Sequence, residues 1–339
     1  MAGTSNNSAP GAVPSVSRAR LTVSGLQIDV YGLAELPANA SKVSCLWLHH
    51  GRLRNKEDMA PFANRFLSAY HEKPNPGRGF IAVALDQRNH GSRLVDKRAN
   101  ESWVDGNETH AQDMFGFVTG TVVDTVNLID MIESHLFGGD DHVTSDGGRR
   151  RIDHNMVLGI SLGGHSAWQL LFADPRVTAG VIVIGCPDYM TLLKDRARLS
   201  QLKGFNAPDY GASFIGSKDF PDPLVNACKK YDPKGILFGT KDIVLPTTVG
   251  EQQRLGPLLK SRVSGKRFQI LSGGADKLVP YAMGESFIQF FKTAANGWYK
   301  EGGVYVEDNV YPTAGHEFSA EMRNDALRFV LDSIALANK

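Results

Sequence analysis

The sequence predicts an α/β fold with an open, mostly parallel, doubly wound sheet. Short apolar runs rich in β-branched residues recur along the 339-residue chain, and segments with helical spacing of apolar residues separate them. Continuous runs of this kind are typical of strands that are buried on both faces of a parallel sheet. Their alternation with helices favours a doubly wound architecture. With 42% hydrophobic residues, the chain is long enough for one large domain that carries a small inserted segment.

The first predicted elements are a hairpin and two buried strands. Segments 20–23 and 26–31 alternate in polarity on either side of a Ser-Gly pair, and this pattern predicts two antiparallel strands. Apolar runs at 43–48 and 80–85 predict the next two strands. A helix is predicted between them at 59–69, where the apolar residues have helical spacing.

Helical spacing is clearest over residues 111–136. Apolar side chains recur there at helical intervals, namely Val118, Val122, Ile129, Ile132 and Leu136. The remaining predicted elements are strands at 155–160, 179–184, 267–271 and near 304–307, and helices at 164–171, 287–294 and 320–335. These elements continue the alternation of strand and helix to the end of the chain.

Residues 187–262 lack this regular alternation. They contain helical fragments, loops and scattered aromatic side chains: Tyr189, Phe205, Tyr210, Phe214, Phe220 and Tyr231. We interpret much of this segment as a small helical cap inserted above the sheet, whose aromatic residues would line an apolar pocket. The alternative is a set of ordinary connecting helices with a few aromatic residues at the surface.

The amino-terminal residues 1–18 are small and polar, which predicts a disordered lead-in to a single domain over 19–339. They lack the apolar core of a secretory signal, and no apolar segment long enough to span a bilayer is evident. The formal net charge of +1 provides no electrostatic basis for binding nucleic acid or a membrane surface. The three cysteines have no CxxC spacing, and an odd number does not complete a disulfide framework. We therefore expect a cytoplasmic protein.

The motif Gly159-Ile160-Ser161-Leu162-Gly163 predicts a nucleophilic serine. It lies between an apolar strand-like run and a helical segment. A serine at the apex of a sharp strand-to-helix turn projects its hydroxyl above the sheet. Glycines two positions before and after it allow strand and helix to approach without a clash at Cβ. Leu162, at the start of the helix, is expected to offer its backbone N–H to the oxyanion of a tetrahedral intermediate.

Two further residues complete the predicted chemistry. A serine hydroxyl requires a histidine to accept its proton, and the histidine requires an acid to orient it. The strand predicted at 267–271 leads into a glycine-containing loop with Asp276, and the last strand leads into Gly315 and His316. A nucleophile elbow is typically followed along the chain first by its acid and then by its histidine, and Ser161, Asp276 and His316 occur in this order.

Two other aspartates are alternatives for the acid. Asp242 lies in a segment that is similar to the one around Asp276, but the strand before Asp276 is the clearer one. Asp188 follows the strand predicted at 179–184. The helix–strand–histidine unit that directly follows Asp276 favours this residue.

These motifs resemble the α/β-hydrolase superfamily of serine hydrolases, most of all its prolyl-oligopeptidase-like and dienelactone-hydrolase-like esterases. The residues that carry the resemblance are spread over 43–335: His50-Gly51, the loop 86–93, the motif 159–163, Asp276 and His316. The resemblance implies the α/β-hydrolase fold. It also implies that the loop 49–53 supplies the second oxyanion donor, which is the backbone N–H of Arg52. One of His49 and His50 is expected to brace this loop, and the other to pack.

The resemblance implies a serine hydrolase that cleaves a carboxylic ester through an acyl-enzyme, without a metal or an organic cofactor. His316 would act as general base and acid, and Asp276 would hold its imidazolium. The aromatic residues of the predicted cap favour a small-molecule, hydrophobic ester with a hydrophobic acyl chain or a polycyclic group as the substrate. Thioesterase, acyltransferase and S9-like peptidase activities share the triad and remain alternatives. A non-catalytic binding protein on the same fold is a more remote one.

Overall fold

The structure of the protein, a computed structural model, describes residues 15–72, 77–139, 144 and 148–338 and is built on one eight-stranded sheet. The strands are β1 Arg18–Val23, β2 Leu26–Tyr31, β3 Lys42–His49, β4 Gly79–Leu85, β5 Arg151–Ile160, β6 Val177–Val183, β7 Arg267–Gly273 and β8 Tyr305–Tyr311. Their order in the sheet is β1-β2-β4-β3-β5-β6-β7-β8. β2 pairs antiparallel with β1 and β4, and all other neighbouring strands pair in parallel. The predicted mostly parallel α/β sheet is confirmed.

The first two strands form the predicted hairpin. Ser24 and Gly25 connect them with positive φ angles of 51° and 80°. Two positive φ angles are what a tight two-residue turn requires when its twist has to match that of the strands. Two later strands, β5 and β8, extend farther than predicted. Their additional residues, 151–154 and 308–311, mix polar with apolar side chains, so they did not continue the apolar pattern.

Helices cover both faces of the sheet. They are α1 Ala60–His71, α2 His110–Phe137, α3 Leu162–Ala173, α4 Tyr189–Leu199, α5 Asp222–Tyr231, α6 Pro233–Phe238, α7 Val249–Val263, α8 Ala282–Asn296 and α9 Ala320–Ala337. α2, α3, α7 and α8 pack on one face, and α1 and α9 on the other. Val43, Cys45 and Trp47 of β3 join the first apolar cluster, whereas Leu46 and Leu48 join the second. Successive side chains of a strand point to opposite faces, so the helices on each face of the sheet bury one set of β3 side chains.

Helix α3 is anchored to the sheet by Trp168. The indole is fully buried, and its ring centroid lies 5.6 Å from that of Phe268 in β7. On α8, the rings of Phe287 and Phe291 lie 5.8 and 6.2 Å from it. A buried aromatic side chain removes a large apolar area from water, and each such ring pair adds about 0.5–1.5 kcal/mol. This packing determines the position of the helix that begins directly after Ser161.

The segment 187–262, predicted as a cap, divides between two locations. α7 packs on the sheet, where Leu255, Leu259 and Val263 are buried in the same apolar cluster as α3. This helix is therefore part of the crossover between the parallel strands β6 and β7. α4 and α5 instead share a third apolar cluster with the N-terminal half of α2. A capping role for α4 and α5 stays a prediction.

Helix α2 departs from one expectation, since we expected no apolar segment long enough to span a bilayer. An 18-residue window of this helix has a mean hydropathy of 1.3, which suffices for a span by length and composition alone. Within the protein, 56% of that window is buried. The core helix of a globular domain meets the same criterion, so the composition of α2 is weak evidence for a span.

The predicted lead-in 1–18 lies mainly outside the described residues, which begin at Ser15. The Val16 N–H donates to Asn64 Oδ1 at 3.3 Å, and the Ser17 N–H donates to Glu35 Oε1 at 2.7 Å. Strand β1 begins at Arg18. Ordered contacts to the domain therefore begin before residue 19.

Five buried histidines are neutral in the fold because burial lowers their pKa. The pKa falls from 6.5 to about 3 for His49 and His110 and to about 4 for His50, His154 and His165. Below pH 6.5 the unfolded chain therefore binds protons that the folded chain does not. Stability then falls as the pH decreases from 6.5 towards 4, by up to about 1.4 kcal/mol per pH unit for each such histidine.

We expect the free energy of unfolding in urea to decrease steadily from pH 7 to pH 5. Asp232, whose pKa burial raises, acts in the opposite direction. His154→Gln removes one buried imidazole, whose Nδ1 lies 2.9 Å from Ser44 Oγ. The variant should take up about one proton fewer on unfolding, so its free energy of unfolding should depend less steeply on pH. A free energy of unfolding that is constant between pH 7 and pH 5 would contradict this account.

Candidate active site

The carboxyl ends of the parallel strands gather the predicted site residues at one edge of the sheet. β3, β5, β7 and β8 all end at this edge, and the loops after them carry Arg52, Ser161, Asp276 and His316. In an open α/β sheet, this edge is where ligands bind. A cavity of about 550 Å³ lies there, and Arg52, Ser161 and His316 line it.

Ser161 lies on a strained turn between β5 and α3. Its φ and ψ are 57° and −112°, a conformation that non-glycine residues rarely adopt. The Ser161 N–H donates to the Val183 carbonyl at 2.9 Å, and the His165 N–H donates to the Ser161 carbonyl at 3.0 Å. The strain is therefore held by hydrogen bonds on both sides of the turn.

Glycine is required on both sides of the serine because backbones meet there. A Cβ added to Gly159 would overlap the carbonyl oxygen of Gly163, and one added to Gly163 would overlap the carbonyl oxygen of His49. The Gly163 N–H donates to the His50 carbonyl at 3.1 Å. The predicted close approach of strand and helix is thus present, and it extends to the end of β3.

The structure brings Ser161, His316 and Asp276 into one hydrogen-bonded chain. Ser161 Oγ lies 2.8 Å from His316 Nε2, and His316 Nδ1 lies 2.8 Å from Asp276 Oδ2. A carboxylate only accepts hydrogen bonds, so Nδ1 carries the proton and donates it to Asp276. Nε2 is then free to accept the hydroxyl proton of Ser161. This arrangement can generate a serine nucleophile.

Asp276 is held in its ionised form. Its side chain is fully buried, and its Oδ1 accepts the N–H groups of Leu278 at 2.8 Å and Val279 at 2.9 Å. Burial raises the pKa of this carboxyl, but the hydrogen bonds from His316, Val279 and Leu278 outweigh that effect and leave the pKa below its usual value. A carboxylate that stays charged is suited to stabilising an imidazolium.

The two alternative aspartates do not contact His316. Asp242 is exposed and does not line the cavity. Asp188 caps helix α4, since its oxygens accept the Thr191 N–H at 3.0 Å and the Thr191 hydroxyl at 2.7 Å. Of the three candidates, Asp276 is the acid that the fold brings to the histidine.

The two predicted oxyanion donors differ in how the fold holds them. Leu162 is the first residue of α3, so its N–H has no acceptor within the helix. Arg52 follows Gly51 in the loop after β3, and no acceptor for its N–H occurs among the described residues. The Arg52 side chain turns away and donates from Nη1 to the Asn100 carbonyl at 2.7 Å. The fold thus leaves both N–H groups available.

His50 braces the loop that carries Arg52. The Gln87 N–H donates to His50 Nε2 at 3.0 Å, so the proton of this imidazole is on Nδ1, which donates to the Gly51 carbonyl at 2.8 Å. The Gln87 side-chain amide also donates to the His50 carbonyl. His49 instead packs on the other side of the strand against Thr125, with Nε2 3.0 Å from its hydroxyl. Nothing in the sequence pattern distinguished Gln87 as a supporting residue.

A buried ion pair holds two loops of the site together. Lys56 Nζ lies 2.8 Å from Asp86 Oδ2, and the Lys56 N–H donates to Asp86 Oδ1 at 2.8 Å. Asp86 also accepts the N–H and the hydroxyl of Ser92 at 3.0 and 2.7 Å. Burial raises the pKa of Asp86, but the hydrogen bonds from Lys56 and Ser92 outweigh it and bring the pKa to about 2. The motif 86–93 therefore shapes the site without lining it.

The aromatic residues expected to line the pocket lie elsewhere, and that expectation was wrong. None of the six borders the described cavity at Ser161. Phe214 and Phe220 are fully buried in the third apolar cluster, whereas Tyr210 is 84% exposed. The apolar walls come instead from other elements: Leu53, Met59, Phe62, Ile160, Ile184, Leu278 and Phe318. Where apolar residues follow neither strand nor helical spacing, the sequence does not indicate which way the side chains point.

Comparisons with known proteins give distant matches over most of the chain. No protein-family model matches the sequence. The chain is 25% identical over 223 residues, or 64% of its length, to the Bacillus subtilis protein named "Putative esterase YitV", of which the match covers 79%. Its structure is similar to that of TT1662 from Thermus thermophilus, with a TM-score of 0.58, 19% identity and coverage of 94% and 98% of the two chains.

Two further solved structures share this architecture. One is acetyl xylan esterase 1 from Thermoanaerobacterium sp., with a TM-score of 0.50, 17% identity and coverage of 96% of this chain and 86% of the other. The second is a puromycin-hydrolyzing peptidase from Mycobacterium tuberculosis, with a TM-score of 0.51, 13% identity and coverage of 97% and 41%. At these identities, the structural similarities indicate a common fold.

We expect Gly159→Ala to lower the free energy of unfolding by about 1–3 kcal/mol, since the added methyl overlaps the Gly163 carbonyl. The matched control is Gly116→Ala in α2, where an added Cβ has no atom within 4 Å. Alanine should stabilise that exposed helical position by up to about 1 kcal/mol. Urea titrations of both variants test the difference. Equal stability of the two variants would exclude a close backbone approach at the elbow.

Proposed function

We propose that this chain, a hydrolase of the α/β-hydrolase fold, cleaves carboxylic esters through an acyl-enzyme formed on Ser161. The observation that carries the proposal is the continuous chain of hydrogen bonds, 2.8 Å at each link, from Ser161 through His316 to Asp276. The series of hydrogen bonds ends at the Ser161 hydroxyl, which faces a cavity. Ser161 itself lies on a strained turn. The name of the Bacillus subtilis relative adds support for an ester as the substrate.

Acylation begins when Ser161 Oγ attacks the ester carbonyl carbon and His316 Nε2 takes the hydroxyl proton. Asp276 stabilises the imidazolium that forms. The N–H groups of Leu162 and Arg52 donate to the oxyanion of the tetrahedral intermediate, where one such donor is worth about 2.7–4 kcal/mol. The intermediate collapses as His316 passes the proton to the leaving alcohol, and Ser161 retains the acyl group.

Deacylation repeats these steps with water as the nucleophile. His316 takes a proton from the water, the hydroxide attacks the acyl carbon, and the proton returns to Ser161 as the carboxylic acid leaves. The His316 side chain is 25% exposed, so water has access to the imidazole that must activate it. This access favours hydrolysis over transfer of the acyl group to another alcohol or to an amine.

The cavity favours a small or medium-sized ester with an apolar portion. Its volume is about 550 Å³, and its walls include the side chains of Phe62 and Phe318, whose rings are tilted by 38° with centroids 5.1 Å apart. Pockets of this size that are lined mainly by apolar residues hold small organic ligands and orient them with a few polar groups. Here Ser161, His316 and the two backbone N–H groups would be the orienting groups.

A fluorophosphonate probe tests the proposed nucleophile. We expect stoichiometric labelling of the wild-type protein, with the adduct on Ser161, and no labelling of Ser161→Ala. Asp276→Asn should reduce kcat for a 4-nitrophenyl ester by about 10²–10⁴-fold, because an amide no longer enforces the required tautomer of His316.

The matched control for the acid is Asp242→Asn, which changes an exposed aspartate that does not line the cavity. Its kcat should equal that of the wild type. Folded protein that resists the probe, or equal losses in the two asparagine variants, would refute the proposed triad.

A further inference from the structure

A second cavity adjoins the one at Ser161. Its volume is about 250 Å³, and it shares Arg52 and Leu278 with the first cavity. The backbone of Arg52 is the proposed oxyanion donor, whereas its side chain lines this neighbouring space. A group bound in the second cavity would therefore lie beside the space that the reacting carbonyl occupies.

Three cationic side chains line this second cavity: Arg52, Arg196 and Lys277. In the described part of the chain, no carboxylate oxygen lies within 4.0 Å of their charged nitrogen atoms. Asp195 is the acidic side chain in the lining, and its Oδ1 accepts Arg198 Nε at 3.0 Å and Nη2 at 2.6 Å. The negative charge of Asp195 is thus engaged by another arginine.

Arg196 is the central group of this set. Its Nη2 donates to the Leu278 carbonyl at 3.2 Å, and its Nη1 lies 3.2 Å from His110 Nε2. His110 Nδ1 donates to the Glu101 carbonyl at 2.7 Å, so Nε2 is the unprotonated nitrogen and accepts from Arg196. Both partners of the guanidinium are neutral. Burial lowers the pKa of Arg196, as expected for a cation that lacks a counter-charge.

The Arg196 side chain is partly exposed, and its guanidinium has donors to spare. Arginine carries five N–H groups in a planar fork, of which Arg196 uses two and Arg52 one in these contacts. The fork matches carboxylate and phosphate geometry. The cavity also has apolar side chains at its rim, since Val104 and Leu199 are 71% and 57% exposed.

We propose that this second cavity binds an anionic group of the substrate, so that the protein prefers esters that carry a carboxylate or a phosphate close to the scissile carbonyl. This inference rests on the proposed ester hydrolysis at Ser161. It adds a specificity-determining residue, Arg196, which contacts the substrate anion and takes no part in the bond changes.

The test compares kcat/KM for two pairs of esters that differ in one charge. In the first pair the charge is on the acyl side: 4-nitrophenyl hydrogen glutarate against 4-nitrophenyl pentanoate. In the second it is on the leaving group: 4-acetoxybenzoate against its methyl ester. We expect the anionic member of at least one pair to have a kcat/KM at least tenfold higher, mainly through a lower KM. This preference should decrease as the salt concentration rises.

The quantity to compare is the ratio of kcat/KM for the anionic ester to kcat/KM for its neutral partner. Arg196→Gln should lower that ratio about tenfold, and Arg196→Lys should retain part of it. The ratio cancels any general loss of activity. The matched control is Lys194→Gln, which removes one positive charge two residues away on α4, outside the lining of this cavity. Its ratio should equal that of the wild type.

Inhibition of pentanoate ester hydrolysis by glutarate and by inorganic phosphate distinguishes the two anions, since the preferred one should compete at the lower concentration. A wild-type ratio near one in both pairs overturns the anionic subsite. So does a high ratio that persists in Arg196→Gln. Hydrolysis of the neutral esters and fluorophosphonate labelling report on the catalytic serine independently, so failure of the subsite is separable from failure of the proposed function.

Discussion

The site depends on one steric constraint, which is the close approach of three backbone segments below Ser161. The end of β5, the first turn of α3 and the end of β3 meet where Gly159 and Gly163 lack side chains. Because they meet, the chain can turn sharply enough to hold Ser161 at a φ of 57°. The packing of Trp168 behind α3 supports the same geometry, so the apolar core acts together with the hydrogen bonds of Ser161 to hold the strained turn.

Buried polar groups organise the loops around this turn. The Lys56–Asp86 pair and the contacts of His50 with Gln87 join the loop after β3 to the loop after β4. A desolvated ion pair adds little net stability compared with apolar residues of the same volume. Its effect here is to position loops, because separating Lys56 from Asp86 within the fold would leave a buried charge without its partner. This positioning would assist the proposed mechanism, since preorganised donors need no reorganisation during the reaction.

The strands, the helices outside 187–262 and the grouping of Ser161, Asp276 and His316 could be predicted because each has a local signature. Apolar runs mark strands, and a glycine-flanked serine between strand and helix marks the elbow. Gln87 and Arg196 could not be predicted, because their roles arise from contacts across the fold, with His50 and with His110. The aromatic residues of the segment 187–262 were misplaced for the same reason, since irregular sequence carries no periodicity that assigns a side chain to a face.

Trapping of the intermediate shows whether Ser161 carries the acyl group during turnover, as the proposed mechanism requires. Wild-type protein is mixed with a 4-nitrophenyl ester, quenched in acid within the first turnover, digested, and analysed by peptide mass spectrometry. We expect a burst of 4-nitrophenol and an acyl group on the peptide that contains Ser161. An acyl group on a different residue, or steady turnover with no acylated peptide at any quench time, would contradict it.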